Sequence, residues 1–131
     1  MNELIKLTAR AVVSLLKKRE VSPLELIDVA EERIEAVEET VNAMPTLCFD
    51  RARDHARKIL DDPPKNPPTH YLYGLPIVIK DLTDVKGVRT TYGSMAFSNH
   101  IPNRSDYLVE TLEANGAIII GKSNTPEFGA G

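Results

Sequence analysis

The fold is indicated first by the stretch Gly74-Leu-Pro-Ile-Val-Ile-Lys80-Asp81, in which an apolar run ends directly in a basic and an acidic residue. Residues 75–79 are continuously apolar and rich in β-branched side chains, which predicts a strand covered on both faces, as in a parallel sheet. Desolvation at the end of such a strand can lower the pKa of a lysine, and a neighbouring carboxylate can orient its amine. Lys80 is therefore a candidate general base with Asp81 beside it, although a solvated charge at a strand end is the alternative.

A helix and a second strand are predicted to follow this strand. The pair Ser105-Asp106 is typical of a helix start and Asn115-Gly116 of a helix end. Residues 117–120 are Ala-Ile-Ile-Ile, a second buried strand. Strand, helix and strand together predict a right-handed parallel βαβ unit. Functional residues of such sheets lie beyond the carboxyl ends of the strands, where the sequence places Lys80, Asp81, Lys122 and Ser123.

The first part of the chain is predicted to be helical. Apolar residues recur at helical spacing in residues 8–19, and Ser22-Pro23-Leu-Glu25 begins a longer helix with an N-cap serine, a first-turn proline and a capping-box glutamate. A short strand at residues 45–49 and a third helix at residues 50–60 come next. We expect one α/β domain, in which a helical arm (residues 1–60) and a proline-rich linker (residues 61–70) precede the sheet core (residues 71–131).

Composition argues against several classes of function. The 131 residues include 16 basic and 19 acidic side chains, a net charge of -3, so that nucleic acid and anionic membranes have no basic surface to bind. The single cysteine, Cys48, cannot form an internal disulfide and lies in an apolar stretch. No apolar run approaches membrane-spanning length, and the first residues lack the apolar core of a signal peptide. We therefore expect a cytoplasmic protein.

Three motifs follow one another in the chain: the strand ending in Ile79-Lys80-Asp81, the turn Thr90-Thr-Tyr-Gly-Ser94, and the segment Gly121-Lys-Ser-Asn-Thr-Pro-Glu-Phe128. Together they resemble the N-terminal part of the amidase signature family. The resemblance begins near Thr8 and is specific from Gly74 onward. It implies the first parallel βαβ part of the family's mixed sheet, covered by helices and incomplete in this chain.

The resemblance also implies a chemistry. In the family, the lysine of the Ile-Lys-Asp motif belongs to a Ser–cisSer–Lys triad that hydrolyses carboxamides, so that role falls on Lys80. Asp81 and Asn124 are candidates for supporting residues around it. No metal or organic cofactor is implied, and the expected substrate is a small-molecule amide.

The chain departs from the family pattern at the serines of the triad. These serines belong to a Gly-Gly-Ser-Ser-Gly-Gly stretch and a second serine motif, and the chain has no Gly-Gly or Ser-Ser pair. We therefore expect this chain alone to be inactive, and we expect it to form homo-oligomers through uncovered parts of its sheet. The alternatives are the amidase subunit of a tRNA-dependent amidotransferase, which would need partner subunits, and a non-catalytic interaction module.

Two rival sites are also present in the sequence. The stretch Gly116-Ala-Ile-Ile-Ile-Gly121-Lys122-Ser123 satisfies the P-loop pattern, but its four intervening residues predict a strand where phosphate binding needs a loop followed by a helix. Ser94 or Ser123 could pair with Lys80 or Lys122 as a Ser-Lys dyad. Neither serine stands on a Gly-x-Ser-x-Gly elbow, and capping or turn hydrogen bonds explain them better.

Overall fold

A computed structural model describes residues 2–131 and contains four α-helices and a small sheet of three strands. The α/β class predicted from the sequence is confirmed. No helix within residues 2–131 has the length and apolar character needed to cross a membrane. In chain order, the helices and strands are α1 Ala9–Lys17, α2 Pro23–Val41, β1 Thr46–Leu47, α3 Phe49–Asp61, β2 Pro76–Lys80, α4 Tyr107–Ala114 and β3 Ile118–Ser123.

Helix α2 begins where the sequence predicts. The Ser22 hydroxyl accepts a hydrogen bond from the Glu25 backbone amide at 3.1 Å, and Pro23 occupies the first helical position, where no amide partner is needed. The helix ends at Asn42, which adopts the left-handed conformation with φ of 51°. The Asn42 amide donates to the Glu38 carbonyl and closes the last turn.

The sheet has the order β1-β3-β2. Strands β2 and β3 pair in parallel, with α4 connecting them, so the predicted parallel βαβ pairing is confirmed. Strand β1 pairs antiparallel to β3 through Thr46 opposite Lys122 and Leu47 opposite Gly121. The prediction that the sheet begins only after the proline-rich linker is therefore wrong. The first sixty residues contribute a strand because the turn after α2 brings β1 directly alongside β3.

Strand β3 lies between two apolar clusters. Ile118 and Ile120 pack with Ile27 of α2 and with Phe49 and the alanines of α3. Ile119 packs on the other side with a second group of buried residues, which are Ile79, Val85, Val88 and Val109. The central position of β3 in the sheet explains why three consecutive isoleucines are buried.

Strand β2 is covered less completely than the sequence predicts. Ile79 is buried, but Val78 is 41% exposed and Lys80 is exposed. The prediction of a strand covered on both faces is wrong for β2 within this chain. Strand β2 forms the edge of the sheet, and a register shift between Ile77 and Val78 interrupts its ladder with β3.

The start of α4 differs from the predicted cap. Asp106 occupies the N-cap position, but its side chain makes no hydrogen bond to the helix. Its carboxylate instead accepts from the Asp84 amide at 3.1 Å, and the Ser105 hydroxyl accepts from the Lys86 amide at 2.8 Å. Both side chains therefore hold the loop that follows β2 against the start of α4. The predicted helix end is confirmed, since Asn115 is the C-cap and Gly116 follows with φ of 86°.

Candidate active site at the carboxyl ends of strands β2 and β3

The stretch that satisfies the P-loop pattern is a strand. Residues 118–123 form β3, in agreement with the sequence prediction, so the loop that would wrap a phosphate is absent from this stretch. Its second glycine has a packing role. A Cβ atom on Gly121 would lie 2.6 Å from the Thr46 carbonyl oxygen, because β1 pairs closely with β3 at this position.

Lys80 is the last residue of β2 and lies next to Ser123 of β3 in the parallel ladder. The backbone around it is fixed on both sides. The Asp81 amide donates to the Ser123 carbonyl at 2.9 Å, and the Thr83 amide donates to the Lys80 carbonyl at 3.1 Å. The side chain itself is exposed, so the expectation that burial desolvates Lys80 is wrong for this chain. Lys80 is therefore exposed at the carboxyl edge of the sheet.

A buried ion pair lies directly after Lys80. The Asp81 side chain is almost fully buried, and the Lys122 side chain is 0% exposed. The Lys122 ammonium donates to the Asp81 carboxylate at 3.3 Å, to the Thr83 carbonyl at 2.9 Å and to the Thr90 hydroxyl at 2.8 Å. Three partners match the three N–H bonds of the ammonium. We call Lys122, Asp81, Thr83, Thr90 and Thr91 the lysine network.

Thr91 supplies the remaining contacts of the Asp81 carboxylate. Its amide donates to one carboxylate oxygen at 3.0 Å, and its hydroxyl donates to the other at 2.5 Å. Asp81 therefore binds the Thr90-Thr91 turn and Lys122. The Asp81 carboxylate accepts its hydrogen bonds from Thr91 and Lys122 instead of from Lys80. Its contacts therefore differ from the expectation that it orients the Lys80 amine directly.

The desolvated lysine of the site is Lys122. Burial lowers its pKa from the ordinary value of 10.5, although the nearby Asp81 carboxylate acts in the opposite direction. A general base must reach the proton that it removes. Lys122 is fully enclosed and its donors are all engaged, so it lacks the access that a general base needs.

Asn124 connects the end of β3 to the end of α2. Its side-chain amide donates to the Asn42 carbonyl at 3.1 Å, and its backbone amide donates to the Ala43 carbonyl at 2.8 Å. These contacts fix the exit of β3, the strand that carries Lys122. A role for Asn124 at the reacting centre stays a prediction.

The serines considered as dyad partners have different positions. Ser94 is buried, and its hydroxyl accepts from the Ala96 amide at 3.3 Å, as expected for a turn residue. Ser123 lies beside Lys80 in register, but within residues 2–131 no hydrogen bond joins the two side chains. The same residues contain no group of three His, Cys, Asp or Glu side chains placed to hold a metal ion.

An aromatic cluster lies next to the lysine network. The Tyr92 hydroxyl donates to Asp84 and lies 3.2 Å from the His100 ring. Burial, together with the bond to Asp84, raises the pKa of Tyr92 to about 12, so this phenol is a donor and not a base at neutral pH. Phe97 packs edge-on against Tyr92, Phe128 packs edge-on against Phe97, and both phenylalanines are exposed. They give this edge of the sheet an apolar border.

Cys48 is not suited to nucleophilic chemistry. Its thiol lies 3.5 Å from the Ile119 carbonyl, and burial raises its pKa to about 11. Alkylation by iodoacetamide at pH 8 is therefore expected to be about 100-fold slower than for a free cysteine, because the thiolate is the reacting species. Mass spectrometry at timed intervals measures the rate. Modification in denaturant is the control and is expected to be fast, and equal rates with and without denaturant would contradict the assigned burial.

The comparisons with known proteins identify the family of the chain. The family model described as Amidase matches residues 25–131, and the chain belongs to that family. A glutamyl-tRNA(Gln) amidotransferase subunit from Thermoanaerobacter pseudethanolicus is 41% identical over 98% of this chain. The corresponding subunit from Geobacillus thermodenitrificans is 43% identical over 95% of it. Both matches cover 26% of the relative, so the chain spans about a quarter of the length of these relatives.

Solved structures share the fold. An amidase family protein from Bacillus anthracis superposes with a TM-score of 0.83 at 25% identity, over 95% of this chain and 25% of that protein. A structure described as an amidase superposes with a TM-score of 0.76 at 30% identity, over 93% of this chain and 28% of that protein. The sheet and its covering helices are therefore those of the family.

The sequence pattern does not reveal the lysine network. It places Lys122 at the carboxyl edge of the sheet and suggests it as part of a phosphate loop or as a dyad partner, and it suggests the paired threonines only as a motif. One feature of the sequence does indicate that Lys122 is buried, because it lies in the same strand as three buried isoleucines. A charge at such a position requires a buried partner of opposite charge, and Asp81 is the acidic residue at the end of the adjacent strand.

Proposed function

We propose that this chain supplies the lysine of an amidase active site, in an enzyme that hydrolyses a carboxamide to a carboxylate and ammonia or an amine. The observation that carries the proposal is the exposed Lys80, held by β3 at the carboxyl edge of the sheet within the family's Ile-Lys-Asp motif. The two serines of the triad are not in the chain. The proposal therefore concerns an enzyme that contains this chain together with both serine motifs, which we call the serine-containing enzyme.

The proposed reaction passes through an acyl-enzyme. The nucleophilic serine oxygen attacks the amide carbonyl, its proton passes to the cis-serine, and the cis-serine proton passes to the side-chain nitrogen of Lys80. The C–N bond then breaks as the leaving nitrogen takes this proton back from Lys80 through the cis-serine, and ammonia or an amine departs. Water hydrolyses the resulting ester, which releases the acid and restores the serine. Neither a metal nor an organic cofactor takes part in these steps, and the substrate is a small-molecule amide.

A second candidate function is supported by the names of the curated relatives. Both relatives are subunits of a glutamyl-tRNA(Gln) amidotransferase, so the serine-containing enzyme would act as the amidase subunit of such a complex. The two functions differ in their dependence on partners. An independent amidase releases ammonia from simple amides by itself, whereas an amidotransferase subunit depends on its partner subunits and an aminoacyl-tRNA.

Ammonia release by the purified serine-containing enzyme tests the proposal. Turnover of aliphatic or aryl amides without added protein would support an independent amidase. Turnover of glutamine only with partner subunits would support the amidotransferase. Absence of turnover under both conditions would contradict the proposed function and favour a non-catalytic module.

The chain alone is expected to form homo-oligomers. Strand β2 is an edge strand with Val78 exposed, and Met95 is 91% exposed on the following loop. Unpaired edges and exposed apolar side chains favour association. Light scattering after size-exclusion chromatography is expected to show a dimer or larger species, and Val78→Lys is expected to shift the protein toward monomer. A monomeric parent chain would contradict this prediction.

A further inference from the structure

We propose that Lys122 is a positioning residue for Lys80, an inference that rests on the proposed function of Lys80. Lys122 does not touch the reacting centre. It acts through the residues that follow Lys80 in the chain, because its ammonium binds Asp81 and Thr83 directly and reaches the next turn through Thr90.

The ammonium of Lys122 holds both sides of the turn after β2. It binds the Asp81 carboxylate at the start of that turn and the Thr83 carbonyl at its end. The Thr83 amide in turn donates to the Lys80 carbonyl at 3.1 Å. Thr83 is therefore held through its carbonyl by Lys122 and through its amide by Lys80, so that a shift of the ammonium would act on the residue that binds the Lys80 carbonyl.

The same ammonium links this turn to the Thr90-Thr91 turn. It donates to the Thr90 hydroxyl at 2.8 Å, and Thr91 binds both oxygens of Asp81. The strand end that carries Lys80 is therefore fixed by backbone hydrogen bonds to β3 and by the buried side chains of the lysine network. These side chains are enclosed, which gives their hydrogen bonds a low-dielectric environment and little freedom to rearrange.

A cost accompanies this arrangement. Burying an ammonium and a carboxylate removes both from water, and a hydrophobic pair of similar size is often as stable or more stable. The stability of the fold therefore does not by itself explain why this position holds an ion pair instead of a hydrophobic pair. Placement of a base within a catalytic triad supplies a different reason for it, because small displacements of catalytic groups reduce rates steeply.

The test uses the serine-containing enzyme and the variant Lys122→Met, which keeps an unbranched side chain one atom shorter but removes its charge and its donors. At a temperature where circular dichroism shows the variant to be folded, kcat is expected to fall about 100-fold. KM is expected to stay within about twofold, because Lys122 does not contact the substrate. Lys86→Met, which replaces an exposed lysine on the same loop, is the control and is expected to keep the parent kcat.

A charge-balanced double variant separates positioning from stability. Asp81→Asn with Lys122→Met removes both buried charges and is expected to recover thermal stability relative to Lys122→Met alone. Positioning predicts that kcat stays low in the double variant, since the bonds to Thr83 and Thr90 are still missing. A purely structural role predicts that kcat recovers together with stability, and that result would overturn the proposal.

Two further measurements keep the outcomes distinct. If Lys122→Met does not fold, Thr90→Val removes a single acceptor of the ammonium and is expected to lower kcat without unfolding the protein. Parent-like kcat in that variant would then overturn the proposal. Parent-like kcat in a folded Lys122→Met, beside an inactive Lys80→Ala, would overturn positioning and leave the proposed function intact. Activity in Lys80→Ala would overturn the proposed function itself.

Discussion

Replacing Lys80 with alanine in the serine-containing enzyme is expected to lower kcat for amide hydrolysis by about 10²- to 10⁴-fold or more. The physical reason is that a general base contributes to the transition state, and in a triad each member depends on the other two. Folding is expected to change little, because the Lys80 side chain is exposed and its backbone bonds to β3 do not depend on it. Ammonia release under saturating substrate measures the effect.

Lys86→Ala is the matched control for this prediction. Lys86 is also an exposed lysine, and it lies on the loop that follows the same strand. Its substitution removes the same charge from the same region but no member of the proposed triad. Activity of Lys80→Ala within a few-fold of the parent, with Lys86→Ala equally active, would remove Lys80 from the reaction.

Local features of the chain predict most of the fold. The N-cap at Ser22 and the C-cap at Asn115 are set by nearby residues, and the structure has both. The apolar runs of β2 and β3 are short and each follows a glycine, and β2 ends at Lys80, whereas β3 continues through Lys122 to Ser123. Long-range relations are harder to predict. The pairing of β1 with β3 depends on how the turn after α2 is directed, and no short pattern records that direction.

The candidate site shows the same difference between local features, which the sequence predicts, and long-range contacts, which it does not. Lys80 is recognisable because it ends an apolar run, and its position at the carboxyl edge follows from the parallel topology. The exposure of Lys80 does not follow from the sequence, since it depends on which parts of the protein pack against an edge strand. The partner of Asp81 does not follow either. Adjacency in sequence suggests Lys80, whereas the folded chain brings Lys122 from a position forty-one residues away in sequence.

Replacing Asp81 with alanine in this chain is expected to lower the free energy of unfolding by about 3–5 kcal/mol, because removal of one partner leaves the Lys122 ammonium buried without its counter-ion. Both side chains of the pair are almost fully buried, so water cannot replace the lost carboxylate without opening the core. Urea unfolding followed by circular dichroism measures the change. Asp61→Ala, at an exposed position at the end of α3, is the control and is expected to change stability by less than about 0.5 kcal/mol.

The pH dependence of the Asp81→Ala variant gives an independent check with a definite sign. Burial lowers the pKa of Lys122 below its ordinary value of 10.5, and loss of the Asp81 carboxylate removes the main opposing influence. Between the folded pKa and 10.5 the unfolded chain binds more protons than the folded chain, so stability rises with pH there. The deficit of the variant relative to the parent is therefore expected to shrink as the pH is raised from 7 toward 10. A deficit that is constant over this range, or equal effects of the two aspartate substitutions, would show that the charge of Lys122 does not cause the instability.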